Sequence, residues 1–494
     1  MIIKINGDIN RYYVQTLCMI YYPGAKFTDD CDDDGTPDLQ VSLSYKDSYC
    51  KATAVAISNG NSYTAVKRNE YVDYHTKERS AKIAVGQAVA TVLGEIVSYK
   101  PSWGILTGVR PSKVASEYLN MGMSKTKVKK LLNTDYFVIP KKASLATEVA
   151  IAEKKIIGVP DKKDCSMYIS IPFCPSRCSY CSFVSYSSKK LLSLIPEYLE
   201  RLKSDIVENL SLIKKLGLNL KTLYIGGGTP SILSVRELSE LLETISANTD
   251  VDKLEEYTLE AGRPDTITAD KFEVAKLHGV TRVSVNPQSL CPEVLSRIGR
   301  HHSIDDFYRA YNIAVNSGIK YINTDLIIGL PGDNFKTFSA TFDEILSLKP
   351  ANITVHTFCV KKSADILKDG TDVYSMRGGD AGKCVDYSQI KSAQANYIPY
   401  YMYRQKKTVG NFENVGFAQP GAEGIYNIHM MEETHTIFSV GAGAVTKLVK
   451  ISDGNEKTKI VRLFNQKYPY EYLAENKSAE MIKEIERFYT EEVL

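Results

Sequence analysis

The chain has 494 residues, 44 % apolar and 24 % charged, with a formal net charge of +3. That is longer than one ordinary domain, and the composition is that of packed protein, not of disordered chain. The charge is spread without a basic block, which argues against a dedicated nucleic-acid binder. Lys4 and Asp8 interrupt the first apolar run, and no stretch approaches roughly 18 apolar residues, so neither a signal peptide nor a membrane span is expected. The ten Cys then read as cytoplasmic thiols or metal ligands, not disulfides.

Residues 1–100 read as a small N-terminal α+β domain. An opening strand (IIKING) leads to an acidic loop, Asp29–Asp34, that turns through Gly35, Thr36 and Pro37. Strand patterns follow near 39–45 and 51–58, and a helix over roughly 77–99 closes the domain. Residues 101–160 form a helical, Lys-rich connector headed by WGILTGVRPSKV, whose Trp103 is the only Trp and reads as a packing anchor. Pro160 and the charged DKKD after it mark a linker.

From 161 to 400 the texture changes. Six β-branched runs recur: MYISI (167–171), TLYI (222–225), EYTLE (256–260), RVSVN (282–286), INTDLIIG (322–329) and NITVHTF (352–358). Each precedes a turn and an amphipathic helix, the signature of a parallel sheet with both faces covered. Six units without a closing pair predict a partial (β/α)6 barrel, with chemistry at the C-terminal strand ends. Residues 401–494 read as a short C-terminal extension covering the active site.

The strand ends hold the unusual residues. Just past the first lies Cys174-x3-Cys178-x2-Cys181, three thiols within eight residues on a loop, which suits a soft metal. Unpaired structural thiols or a zinc site are the alternatives, but zinc takes a fourth protein ligand and no second Cys or His pair stands nearby. Three ligands suit a four-iron cluster with one open iron. Gly226-Gly227-Gly228-Thr229-Pro230 follows the second strand and reads alone as a close-approach loop or a tight turn. Glu260 ends the third strand, Gln288 the fourth, Arg300 follows in GRHH, and Asp325 lies inside an apolar run, where it needs a partner.

The Cys-x3-Cys-x2-Cys spacing with an aromatic before its last Cys resembles the radical S-adenosylmethionine (SAM) superfamily. The order Tyr168, IPFC, GGGTP, strand-end Glu, Gln, Arg and DLIIGLPG resembles the oxygen-independent coproporphyrinogen III oxidase group. WGILTGVRP, EAGRPDTIT, NPQS, GRHH, YRQK and GFAQPG look most like its HemZ-type branch. The resemblance spans nearly the whole chain, weakest in residues 1–100. It implies a radical SAM barrel, a [4Fe-4S] cluster on Cys174, Cys178 and Cys181, and S-adenosyl-L-methionine whose open-iron chelation and reductive cleavage yield a 5′-deoxyadenosyl radical. It places Tyr168, Tyr180, Gly227, Gly228, Thr229, Glu260, Gln288, Arg300, Asp325, Cys359 and Val445 against SAM. It implies oxidative decarboxylation of two propionates of coproporphyrinogen III, and an electron donor such as a flavodoxin or ferredoxin.

One position departs from the oxidase pattern: Phe183 stands where that branch carries a fourth Cys. Phe there resembles haem-chaperone and haem-modifying radical SAM proteins, so haem delivery is the alternative function. A tRNA-modifying enzyme is a third, disfavoured by the even charge. Arg110, Arg263, Arg404, Lys406 and Lys407 are the candidates to hold substrate carboxylates, with Tyr400, Tyr401 and Tyr403 flanking the macrocycle or simply packing. His301 and His302 read as a helix-start loop beside Arg300. Cys165 precedes the first strand, at its far end; Cys291 and Cys384 read as buried thiols. No nucleic-acid partner is expected, and a monomer is.

Overall fold

A computed structural model of the chain describes residues 1–28, 38–108, 110–181, 185–359, 379–405, 408–451 and 458–493. The acidic loop from Asp29 to Pro37, Phe183, Lys406 and Lys407 lie outside the described residues.

The N-terminal region is a four-stranded sheet: β1 (Ile3–Asn6), β2 (Leu39–Tyr45), β3 (Tyr49–Ser58) and β4 (Asn61–Glu70), in that order. β1 and β2 are parallel and the rest antiparallel. β4 and the helix Arg11–Tyr21 are additions to the expectation. The signal for β4 is Asn59-Gly60, both at positive φ (51° and 77°), the two-residue turn that matches strand twist in a hairpin. The helix Lys77–Val97 packs on β3 and β4. By length and composition this helix passes as long and apolar enough to cross a membrane. Its Ala, Val and Leu face the sheet instead, and 67 % of that stretch is buried.

Three connector helices follow, Pro111–Asn120, Lys125–Thr134 and Pro140–Ile157. Trp103 is 1 % exposed, and its Nε1 donates to Glu413 Oε2 at 2.7 Å. Lys142 Nζ meets the other oxygen of Glu413 at 2.5 Å. A buried carboxylate between an indole and an ammonium ties this segment to the main sheet, as the packing-anchor reading expects.

The main sheet has eleven strands. Six are the expected ones: β5 (Asp164–Ile171), β6 (Asn219–Gly227), β7 (Glu256–Gly262), β8 (Arg282–Val285), β9 (Tyr321–Ile328) and β10 (Asn352–Thr357). They lie side by side in chain order, all parallel. Helices such as Ile195–Lys215, Val235–Asn248 and Ile304–Asn316 make the crossovers. Ser234 with Glu237 and Ser303 with Asp306 start two of them as capping boxes.

Residues beyond 397 join the same sheet on both flanks. β11 (Ile398–Arg404) and β12 (Glu413–Ala418) extend it past β10, antiparallel. β13 (Thr436–Val440) pairs in parallel with β5, Thr436 against Cys165, and β14 (Val445–Lys450) and β15 (Lys459–Phe464) complete that flank. The order β11-β12-β10-β9-β8-β7-β6-β5-β13-β14-β15 does not close on itself, so the barrel is partial. Cys165 lies within β5, at its N-terminal end, and is fully buried.

Candidate functional site

The Cys loop is pinned before any ligand is considered. Cys174 N donates to Tyr186 O (3.0 Å) and Tyr186 N to Pro172 O (2.9 Å), closing the loop at its neck. Phe173, fully buried, packs edge-on against Tyr198 at 5.1 Å. Ser179 N donates to Ile298 O, which docks the far side of the loop on the segment leading to Arg300. The end of β6 supports the near side through Gly228 N to Ile171 O and Thr229 N to Phe173 O, both 2.8 Å. A Cβ at Gly228 would sit 2.5 Å from Phe173 O, and one at Gly226 would sit 2.6 Å from Glu260 Oε2. Only glycine allows these approaches.

Thr229 Oγ1 donates to Cys174 Sγ at 3.3 Å. Burial pushes the Cys174 thiol up, and the neighbouring Cys181 and Cys178 add to the rise, while Thr229 opposes it. Arg300 is 7 % exposed; its Nη1 donates to Asn286 O at 2.6 Å, and its Nε has no partner. Burial works against its charge, but Tyr180 and Cys178 beside it prevail and raise its pKa.

The strand ends from β7 to β10 complete the site. Burial and the charge of Asp325 push the Glu260 carboxyl up to about 8, against hydrogen bonds from Tyr224 and the Gly227 backbone. Asp325 accepts from Asn286 Nδ2 at 3.0 Å, and His356 Nε2 stands 3.7 Å away. Asp325 is half-buried, not enclosed as its apolar surroundings suggest, because it faces the barrel interior. Gln288 holds φ at +66°, bridging to β9, and its buried Oε1 is unpartnered. A non-glycine residue kept in the left-handed region commonly marks a functional site. Tyr403 faces Asp325 and Cys359 and binds His356 Nδ1 at 3.1 Å. Tyr168, Tyr224 and Tyr426 stack inside the barrel with centroids 4.6–6.4 Å apart. Val445 opens β14 just after the turn Gly441–Ala444, whose Ala442 O accepts from Ser170 Oγ at 2.9 Å.

Thus the three Cys, Tyr168, Tyr180, Gly227, Gly228, Thr229, Glu260, Gln288, Arg300, Asp325, Cys359 and Val445 all lie in or beside the C-terminal half of the parallel sheet. Asn286, His356, Tyr224 and Tyr426 share that space unforeseen. Asn286 opens the NPQS motif, the one sequence signal for any of the four.

Other candidates are placed elsewhere. Arg110 pairs with Glu433 at 2.8 Å and donates to Met431 O. Arg404 donates to Leu106 O and Asn411 Oδ1, lies over Trp103, and burial pushes its pKa down to about 10. Arg263 is forked with Asp265 beneath the Cys loop. All three guanidiniums are thus engaged by protein acceptors in the ligand-free protein, with Arg404 Nε left unpartnered. Tyr400 and Tyr401 are buried, with Tyr401 stacked on Tyr403 at 6.3 Å. His301 is exposed; His302 is buried with neither ring nitrogen partnered, its pKa pushed down to about 4 by burial and Arg300. Cys384 is buried as expected, but Cys291 is half-exposed, because it precedes a surface helix and donates to Glu293.

Residues 168–345 match the family model of the radical SAM superfamily. Over 507 aligned residues the chain is 32 % identical to the "oxygen-independent coproporphyrinogen-III oxidase-like protein HemZ" of Bacillus subtilis, covering 99 % of both. The chain belongs to the radical SAM superfamily, among the oxygen-independent coproporphyrinogen III oxidase-like proteins. It is also 29 % identical to the "heme chaperone HemW" of Bacillus subtilis, over 65 % of this chain and 81 % of that one. The Escherichia coli coproporphyrinogen III oxidase HemN shares the fold, with a TM-score of 0.52 at 19 % identity over 67 % of this chain and 73 % of that one.

The family's cofactors are a [4Fe-4S] cluster and SAM. The donor set fits them. Among the described residues no three His, Cys, Asp or Glu side chains converge as ligands of a single metal ion. A cluster asks for something wider, one thiolate to each of three irons, and three neighbouring thiols on a pinned loop supply it. The orphaned Gln288 Oε1 and Arg300 Nε and the raised Glu260 carboxyl are groups that a polar, cationic ligand would satisfy.

Proposed function

We propose that the protein converts coproporphyrinogen III to protoporphyrinogen IX without oxygen, by oxidative decarboxylation of two propionates. What supports this most is the end-to-end likeness to the HemZ protein, which includes the region outside the shared barrel. In this reading Cys174, Cys178 and Cys181 hold the cluster. Thr229 steadies Cys174 through its hydroxyl, and Gly226–Gly228 let the end of β6 pack closely against Glu260 and the start of the Cys loop, beside the methionine end of SAM. Glu260, protonated near neutral pH in the ligand-free protein, gives up that proton when a cationic ammonium settles beside it. Asp325, oriented by Asn286, accepts from a ribose hydroxyl. Gln288, Arg300, Tyr168, Tyr180, Cys359 and Val445 line the remainder. The bound cofactors supply one-electron chemistry that removes a hydrogen atom from the propionate. The tyrosine-lined interior excludes water around that step. The protein works as a cytoplasmic monomer with a flavodoxin or ferredoxin as electron donor.

A second reading, haem binding and delivery, is favoured by the HemW likeness and by Phe183 at the fourth-Cys position. One anaerobic assay separates the two. Reconstituted protein is incubated with SAM, a reductant, an electron acceptor and coproporphyrinogen III. 5′-Deoxyadenosine together with protoporphyrinogen IX is the expected result. Deoxyadenosine without decarboxylated product, with haem bound stoichiometrically, overturns the oxidase reading in favour of haem handling.

A further inference from the structure

Arg263 sits in the turn after β7 and is 3 % exposed. Asp265 grips its guanidinium through two bonds, 2.9 Å to Nε and 2.7 Å to Nη2. Burial opposes the Asp265 charge, but the paired Arg263 prevails and holds that carboxyl below its ordinary range. The fork fixes the plane of the guanidinium and leaves Nη1 aimed at the Cys loop. Nη1 donates to Ser176 Oγ at 2.8 Å and Ser176 O at 3.3 Å, and stands 4.0 Å from Cys178 Sγ. Arg300, also buried, is a second positive charge under the influence of Cys178. Two buried guanidiniums near one thiol are costly unless negative charge compensates them. Asp265 neutralises one; a thiolate carrying an anionic iron–sulfur group accounts for the other.

We propose that Arg263 is a positioning residue for the cluster: it fixes the Ser176–Cys178 segment and raises the reduction potential of the iron–sulfur group held by Cys178. Positive charge and an N–H beside a ligating sulfur stabilise the more negative, reduced state, so the potential rises. The inference rests on Cys178 being a ligand, which the iron content of C178A tests separately.

The experiment is a redox titration of the reconstituted protein without SAM. Dithionite supplies the single electron, and the reduced cluster is followed by electron paramagnetic resonance at matched iron content. R263Q is expected to titrate at a more negative midpoint than the wild type, with R263K between them. D265N removes the neutralising carboxylate and is expected to shift the midpoint the opposite way. Equal midpoints for R263Q and wild type overturn the proposal. Shifts of the same sign in R263Q and D265N also overturn it, since they mark a loosened loop and not a field. Should R263Q retain no iron, R263K decides: a midpoint below wild type supports the proposal, and an equal one overturns it.

Discussion

At the N-terminal end of the parallel strands, Arg282 is 2 % exposed and fully occupied. It donates to Glu256 (3.1 Å), Asn323 (2.8 Å), Asn352, and the carbonyls of Ala422 (3.1 Å) and Glu423 (2.9 Å). At the same end Ser166 Oγ bonds Thr222 Oγ1 at 2.7 Å and His435 Nε2 at 2.8 Å. At the C-terminal end the same kinds of residue are buried with partners missing: Gln288 Oε1, Arg300 Nε and both nitrogens of His302. There burial and the charge of Asp325 push the Glu260 carboxyl up to about 8. At the N-terminal end the charged groups are closed on protein partners, which is what stability requires, although Asn352 Nδ2 and Tyr257 Oη are left without one. The C-terminal end leaves a buried guanidinium nitrogen and a carboxyl near neutral titration open, as a ligand site requires.

That contrast can be broken by substitution. C178A, at the open end, is expected to lose nearly all iron and the visible absorbance of the cluster, while the thermal midpoint of the metal-free protein moves little. Iron analysis and calorimetry on one preparation check both halves. R282A, at the closed end, leaves buried Glu256 without its cation and is expected to cost about 3–5 kcal/mol in urea unfolding. A cost as small as that of an exposed arginine would dissolve the distinction.

Glu260 offers a test by pH. Its folded pKa, raised to about 8, lies above its unfolded value, so the folded protein binds the extra proton between about pH 4.5 and 8. Its contribution is fully present below that window and is lost as pH rises through it, at up to about 1.4 kcal/mol per pH unit. The difference between metal-free wild type and E260Q, followed by chemical unfolding from pH 5 to 8.5, should show that slope. A flat difference would mean that Glu260 is ionised throughout. The smallest effects come from a matched pair, each removing one hydroxyl. S166A should cost about 1 kcal/mol and leave SAM binding alone. T229V should leave stability nearly unchanged and weaken cluster retention. An exchange of these outcomes would reverse the roles of the two ends.

Much of this was legible because buried parallel strands read as continuous β-branched runs. All six core strands coincide with those runs, and the unusual polar residues lie within their C-terminal halves or in the loops that follow. Asn286, His356 and Tyr426 were not legible as a set. They come from the loop just after β8, from β10 and from the helix Ile425–Glu432, and they meet only when those elements are laid side by side. The partners of Arg263 were not legible for a related reason: a guanidinium takes whichever acceptors surround it, and the turn after β7 offers Asp265 and Ser176.

The sequence by itself determined the thiol triad, the glycine run and the strand-end carboxylates, since each is a local pattern with its own steric or chemical reason. It also determined the alternation of strand and helix, since burial on both faces writes itself into composition. Only the tertiary structure decided that β13 would lie beside β5, about 270 residues earlier in the chain, because parallel register depends on packing against distant neighbours. The tertiary structure also decided which buried polar atoms found partners and which were left open. That depends on what stands within hydrogen-bonding distance after folding, and no spacing along the chain records it.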